Sequence, residues 1–395
     1  MPDASRASEI CELPYDVMST VEARQMAEGR PLSFLHVSRP EIDLQEGINT
    51  NDPSVYAKAR QNLDHFLTEG ALRKDKQENY YLYRQVMGSH SQLGLVAVAS
   101  CAEYDDNTIR KHEFTRPDKE DDRVAHLEAL DAQTGPVFLT YSADVELDAL
   151  FNRIISSKPD VDFIASDGVQ HTSWTINSSE NAVFIENKFR DIPNLYIADG
   201  HHRSAAASRV NQSRSGSGNS GLFLTVIFPH NQMQILAYNR VVRDLNGLSS
   251  KDLYKVLGQA FEIEVSGTSV PLSKHEIGFY IDGQWSTLRP KQSVIDHDDP
   301  IGQLDVSILQ DYALAPVFGI EDPRLSKRIA FVGGIRGMSD LKKQVDSGDW
   351  KIAFSLFPVT VTKIMDLADA QQTMPPKTTW FEPKLADGLV SLALD

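Results

Sequence analysis

The chain has 395 residues, of which 41% are hydrophobic and 24% charged, and its 39 Lys and Arg against 55 Asp and Glu give a formal net charge of -16. That length suits two or three domains with sizeable cores. The acidic balance argues against duplex nucleic acid or an anionic membrane surface as the main partner, because both are bound through Lys and Arg.

The first ten residues, MPDASRASEI, lack the apolar core of a signal peptide. No stretch approaches the roughly twenty apolar residues of a membrane span. Cys11 and Cys101 have no CxxC spacing that would point to a disulfide framework or a structural zinc site. A cytoplasmic protein is the expectation, with its oligomeric state left open.

In chain order, Ser19-Thr20-Val21-Glu22 forms an S-x-x-E capping box that predicts a helix from about Thr20. Apolar periodicity behind an Asp predicts a second helix over 52–70. Aromatic and β-branched runs predict strands at 79–86 and 93–104, a turn at Asp105–Asn107, and a short strand over 108–115. Pro117 opens a strongly charged helix over 117–133. A strand at 136–141, a helix over 145–157 and strands at 172–176 and 195–198 follow. A helix is expected over 203–210. The stretch NQSRSGSGNSG, 211–221, reads as a flexible loop. The strand at 222–228 is expected to pair with 234–242.

From about Leu248 the pattern restarts as a small α+β module. It has a helix over 250–261, strands at 261–265, 276–281, 285–290 and 329–334, a helix over 337–348 and a strand over 351–358. The segment 374–384, MPPKTTWFEPK, shows no regular period. There is no internal repeat, no Walker A sequence and no GxGxxG. The fold class is α+β with a mixed α/β core. The expected divisions are 1–245, 246–360 and a C-terminal segment 361–395 returning to the active site.

Three polar clusters stand out. In LYIADGHHRSAAASRV, residues 195–210, a strand ends in Asp199-Gly200 and a helix follows. A helix N-terminus is an anion site. Gly200 permits close backbone approach, Arg203 can fork onto oxyanions, and His201 and His202 can donate or transfer protons. The plainer alternative is an Asp cap beside two solvated His. In RKHEFTRPDKEDDR, residues 110–123, strand alternation would set Lys111, Glu113 and Thr115 on one face, with Lys119 and Arg123 a helical turn apart. Glu113 near basic groups is a candidate general base, against the plainer reading of a solvated charge run. In 374–384, Lys377, Thr378 and Thr379 have the make-up of a phosphate clamp, or of an ordinary Pro-rich turn. Asp16, His36 and Arg39 are weaker candidates. Gly333-Gly334 is a turn signal, and Trp174 and Trp380 read as core.

Taken in order, LPYDVMS, FLHVSRPE, IRKHEFTRPDKEDDR, DGVQHTSW, YIADGHHRSAAA, YNRVV and MPPKTTWFEPKL resemble the bacterial and archaeal DUF1015 family over nearly the whole chain. That family is in turn similar to the free serine kinases of the ParB/sulfiredoxin class, which share the HE pair, DGHHR and PPKTT. The resemblance implies a ParB/sulfiredoxin-like catalytic core at 1–245. It also implies phosphoryl transfer from ATP or ADP, with Mg²⁺, to the hydroxyl of free L-serine.

By the same resemblance Glu113 is the base, while Asp199 holds the metal or assists that base. His201 is catalytic and also binds phosphate together with Gly200, His202 and Arg203. Lys377, Thr378 and Thr379 close over phosphate or substrate. His112, Thr115, Lys119 and Arg123 bind or support the substrate. The HE-to-DGHHR spacing is larger here than in compact kinases of that class, so 114–194 is an elaboration. Sulfiredoxin chemistry needs a cysteine where His201 stands, and no convincing helix-turn-helix marks a ParB-type DNA binder. The alternatives are a ParB-like nucleotide switch without kinase activity and a phosphoester hydrolase.

Overall fold

The computed structural model describes residues 1–265 and 269–395. The chain is α+β and divides into two compact units, Met1–Met233 with Pro383–Asp395, and Gln234–Glu382. The divisions expected at 245/246 and 360/361 both fall inside the second unit.

The first unit is built on an eight-stranded mixed sheet. Its strands are β1 (Tyr80–Met87), β2 (His90–Ser100), β3 (Ile109–Arg110), β4 (Val137–Tyr141), β5 (Val161–Ile164), β6 (Gln170–Ile176), β7 (Leu195–Asp199) and β8 (Leu222–Pro229), in the order β3-β7-β4-β8-β2-β1-β6-β5. The β3–β7 and β4–β8 pairs are parallel and the others antiparallel. Two helices pack against the sheet: α1 (Pro117–Leu130) and α2 (His201–Arg214). Leu127 of α1 and Ala207 and Val210 of α2 join Leu95, Leu139, Ile197 and Phe223 of the strands in one buried core, and Trp174 belongs to the same core. Burying a side chain of this size is worth about 1.5–3 kcal/mol each, so this core is what fixes the helices on the sheet. A second cluster, including Ile10, Phe34, Leu63, Phe66 and Leu130, seats the N-terminal helices.

The capping box at Ser19 forms as predicted, with Glu22 returning the bond. Several expectations change. The strand predicted over 93–104 ends at Ser100, whose hydroxyl caps a short helix, Cys101–Asp105. The strand predicted over 108–115 is only Ile109–Arg110, so Lys111, Glu113 and Thr115 do not share a pleated face. β8 pairs with β2 and β4 and not with 234–242; that run splits at Ala237 into two short strands in the other unit. The helix expected over 203–210 runs from His201 to Arg214. The loop read as flexible is tied down: Asn219 bonds Leu394 O at 2.8 Å and Ala393 O at 3.0 Å, and Cys101 N bonds Gly221 O at 2.9 Å. An apolar face hidden among charges concealed the helix Ser179–Asp191 from the period count; its one fully buried side chain is Ile185.

The second unit holds a six-stranded antiparallel sheet. Its strands are β9 (Tyr238–Val242), β10 (Phe261–Val265), β11 (Ile277–Ile281), β12 (Gln284–Pro290), β13 (Ile329–Gly333) and β14 (Ile352–Ser355), in the order β10-β12-β11-β14-β9-β13. The Pro-rich segment that showed no period ends in a strand, Trp380–Glu382, paired with Gln234–Leu236. The helix Val361–Asp369 went unpredicted.

Candidate functional site

The parallel pairing of β3 with β7 organises the site. Ile109 lies beside Leu195 and Arg110 beside Tyr196. Both strands therefore end on the same side of the sheet. The loop after β3 carries His112 and Glu113, and the turn after β7 carries Gly200 and His201. Carboxyl ends of parallel strands are where ligands collect in α/β sheets, because loops and helix N-termini converge there.

Gly200 makes this junction possible. It precedes α2 with φ 100° and ψ 26°, a left-handed conformation that side chains oppose. A Cβ there would also stand 3.1 Å from Arg203 Nε. No side chain caps the helix, so its first-turn N–H groups lack helical acceptors and carry the positive end of the macrodipole.

His112 and His201 are buried at 1% and 6% exposure. Their rings meet edge to face, centroids 4.5 Å apart and planes at 87°. Burial pushes His112 down to about 4, against the smaller upward pulls of the Ile197 main chain and Asp199. Burial and the neighbouring His112 lower His201 further. Both rings are therefore neutral at pH 7. Glu113 is half-buried, and one ligand-type atom from each of the three residues lies within 4.8 Å of the others.

Asp199 is surrounded by cations. Lys384 Nζ donates to its carboxylate at 2.8 Å, and Arg203 Nη2 stands 3.8 Å away. Burial alone would raise its pKa, but Lys384 and Arg203 hold it well below the usual carboxylate range. Arg203 is folded inward: Nη1 donates to Pro136 O at 2.5 Å, and Nε is buried without a hydrogen-bond partner. Gly135 lies between Asp387 and Arg203; a Cβ there would stand 3.1 Å from Asp387 Oδ1 and 3.6 Å from Arg203 Nη1. Tyr15, Arg123, Thr134, Gly135, Arg203 and Asp387 line a cleft beside α2. Burial pushes Asp387 up to about 7 despite Arg203.

His202 Nε2 accepts from Arg116 N at 3.1 Å, which fastens the Glu113 loop to α2. Arg123 is held by Asp122, through Nε at 3.0 Å and Nη2 at 2.6 Å, and stacks 3.9 Å over the Tyr15 ring. Thr115 bonds Glu120, and Lys119 is exposed on α1. Lys111 turns away to Tyr104 O at 2.5 Å. Of the weaker candidates, His36 bonds Asp43 at 2.7 Å and Arg39 pairs with Glu41 at 3.0 Å, both structural contacts.

Lys377, Thr378 and Thr379 belong to the second unit. Lys377 is exposed with φ 57°, and its carbonyl accepts from the fully buried Arg240 at 3.1 Å. Thr378 is buried with its hydroxyl donating to Pro375 O at 2.5 Å, while Thr379 is half-buried.

Sequence reasoning missed Lys384, Asp387 and Tyr15. A signal existed for Asp387: Asp387-Gly388 repeats the Asp-Gly pair of 199–200. Gly388 has φ 85°, and a Cβ there would meet the Phe34 ring at 2.8 Å.

The family model described as "Protein of unknown function (DUF1015)" matches residues 1–307. The chain belongs to this family. No match to a curated protein was found. Among solved structures, the DUF1015 chain is similar to a conserved hypothetical protein from Pyrococcus furiosus at 13% identity and TM-score 0.38, over 76% of this chain and 95% of that one. It is similar to a free serine kinase in complex with AMP at 12% identity and TM-score 0.39, over 76% and 92%. It is also similar to SbnI with a C-terminal truncation from Staphylococcus aureus at 11% identity and TM-score 0.40, over 74% and 85%. No helix among the described residues is long and apolar enough to cross a membrane.

The metal role expected for Asp199 does not fit its surroundings. A divalent cation there would have to displace the Lys384 ammonium and sit against Arg203. The carboxylate offers one anionic group already compensated by two cations, whereas a resident Mg²⁺ site calls for oxygen ligands free to bind it.

Proposed function

We propose that this DUF1015 protein is a nucleotide-dependent small-molecule kinase that transfers a phosphoryl group from ATP or ADP to the hydroxyl of free L-serine, giving O-phospho-L-serine. One observation carries the reading: the parallel β3–β7 pair brings Glu113 and the uncapped N-terminus of α2 to one end of the sheet. Phosphoryl transfer needs an acceptor hydroxyl aligned with a charge-neutralised phosphate and little covalent help. The sequence motifs KHE, DGHHR and PPKTT support the same assignment.

In this reading the first-turn N–H groups of α2 and the close backbone at Gly200 cradle phosphate oxygens. His201 and His202 donate to the same phosphates, and the Arg203 guanidinium supplies charge from behind the turn. Glu113 takes the serine hydroxyl proton as phosphorus–oxygen bond formation proceeds, a contribution of about 10²- to 10⁴-fold. Asp199, held by Lys384, faces Arg203 and offsets its charge. His112, Thr115, Lys119 and Arg123 support the acceptor side. Lys377, Thr378 and Thr379 are assigned to phosphate or substrate on the motif alone.

The test is ³¹P NMR of the purified protein with Mg²⁺, free L-serine and either ATP or ADP. An O-phosphoserine resonance that Glu113→Gln abolishes, with nucleotide binding retained, supports the assignment and identifies the donor. Equal loss of binding and turnover overturns Glu113 as the base. Free phosphate without phosphoserine makes the protein a phosphoester hydrolase. Nucleotide binding without any turnover makes it a ParB-like switch.

A further inference from the structure

We propose that His112, Glu113 and His201 bind a first-row divalent transition metal ion of the zinc or cobalt(II) type. The inference stands on the arrangement of these side chains and not on the kinase reading. Two imidazoles and a carboxylate, drawn from segments 88 residues apart, bring ligand atoms within 4.8 Å of one another. Around a tetrahedral ion at ~2.0–2.1 Å, ligands stand about 3.4 Å apart, so a rotation of the half-buried Glu113 closes the set.

The two rings are the second, independent observation. Neither ring nitrogen of His112, and not Nε2 of His201, has a hydrogen-bond partner among the described residues. The Ile197 main chain faces the His112 ring but closes no hydrogen bond with it. Leaving a buried polar atom unpaired costs about 1–3 kcal/mol. This protein's other buried histidines avoid that cost: His126 bonds Val37 O at 3.0 Å, and His171 bonds the Tyr83 hydroxyl at 2.5 Å. Histidines retained for packing alone would be bonded in the same way. Those of the site instead leave nitrogens unbonded, in rings whose ligand atoms lie within 4.8 Å of each other and of Glu113. Burial also keeps both rings in the neutral form that a metal requires.

The donor set selects the ion. Two nitrogens and one carboxylate suit zinc, cobalt or iron(II) and not Mg²⁺, which takes oxygen ligands in an octahedron. The helix N-terminus, Arg203 and Lys384 oppose added positive charge, while Asp199 and Glu113 offset it. The remaining coordination position therefore favours an anionic oxygen, such as hydroxide or a phosphate oxygen. A carboxylate has two oxygens, so Glu113 can ligate through one and accept a hydroxyl proton with the other.

The experiment uses untagged full-length protein freed of metal by chelator, then titrated with Co²⁺ and with Zn²⁺. The expected result is uptake of one equivalent, visible absorption of tetrahedral cobalt that Zn²⁺ displaces, and a raised Tm. His112→Gln and His201→Gln should each weaken binding by more than the ~10–100-fold typical of losing an outer-shell partner. Circular dichroism reports whether each variant is folded, and Glu113→Gln, at a half-buried position, provides a third variant should either His change disrupt the core. No stoichiometric uptake by the wild type, or uptake unchanged in folded variants, overturns the site. The titration does not depend on kinase activity; set beside the ³¹P NMR assay, metal uptake without phosphoserine supports this site and overturns the kinase reading, and phosphoserine without metal uptake does the reverse.

Discussion

Lys384 Nζ donates to the Asp199 carboxylate at 2.8 Å across 185 residues of sequence. The pair is the structural anchor of the DGHHR turn. Lys384→Met would leave Asp199 with Arg203 at 3.8 Å as its nearest cation. Loss of one partner of such a pair costs about 1–3 kcal/mol, and a double change Lys384→Met with Asp199→Asn should cost less than the sum of the single changes. Urea denaturation of the four proteins checks this; strict additivity would show that the two groups do not interact.

Gly200→Ala should be disproportionately harmful for a one-carbon change. The residue sits at φ 100°, and the new methyl would press on the Arg203 guanidinium at 3.1–3.2 Å. The left-handed backbone costs an L-residue about 1–2 kcal/mol. Lower stability together with weaker nucleotide binding is expected, measured by thermal denaturation and calorimetric titration. Unchanged nucleotide affinity would detach this turn from the phosphate.

Acid should destabilise the fold through buried neutral histidines. Burial depresses His126 and His171 to about 4. The unfolded chain binds their protons near pH 6.5, so between 6.5 and 4 the unfolded state carries more protons. Stability is therefore fully present above pH 6.5 and is lost as pH falls toward 4. His171→Gln should shrink the pH dependence in that window while lowering stability at pH 7, where it disturbs the bond to Tyr83. A pH series of Tm values decides.

Asp387 acts with the opposite sign. Its carboxyl, raised to about 7 by burial, holds a proton in the folded state that the unfolded chain releases near pH 4. Its contribution is present below pH 4 and is lost as pH rises toward 7. Asp387→Asn removes the titration and should stabilise the protein at pH 8 relative to wild type, with little gain at pH 4. An equal Tm difference at both pH values would contradict the assignment.

How far the sequence disclosed this site depends on what each residue does. The strand-to-helix turn at 195–210 was legible because its signals are local: an apolar run, Asp-Gly, then alanines. The helix at Pro117 and the strands at 79–86 and 136–141 were legible for the same reason. The HE pair was found, but through a strand that ends at Arg110. Among the described residues β3 pairs with one neighbour and for two residues, since the loop after it turns out of the sheet to reach α2. Alternation over 108–115 therefore described a strand that tertiary contacts cut short. Lys384 was missed because nothing local marks a side chain whose partner is 185 residues away, whereas Asp387 carried a local Asp-Gly signal that went unread. The segment 211–221 looked unstructured by composition, yet Asn219 donates to Leu394 O and Ala393 O, and Ser220 and Gly216 bond Ser217 O and Asn211 O within the loop.

The second unit occupies 234–382, between two pieces of the first. This sets an order of events during synthesis. β1 to β8 and the DGHHR turn leave the ribosome early, while Lys384 and Asp387 emerge only after roughly 150 further residues. At the 5–20 residues per second typical of translation, the nascent first unit waits about eight to thirty seconds with Asp199 lacking its lysine. The polar cluster is thus completed only after the whole second unit has been made.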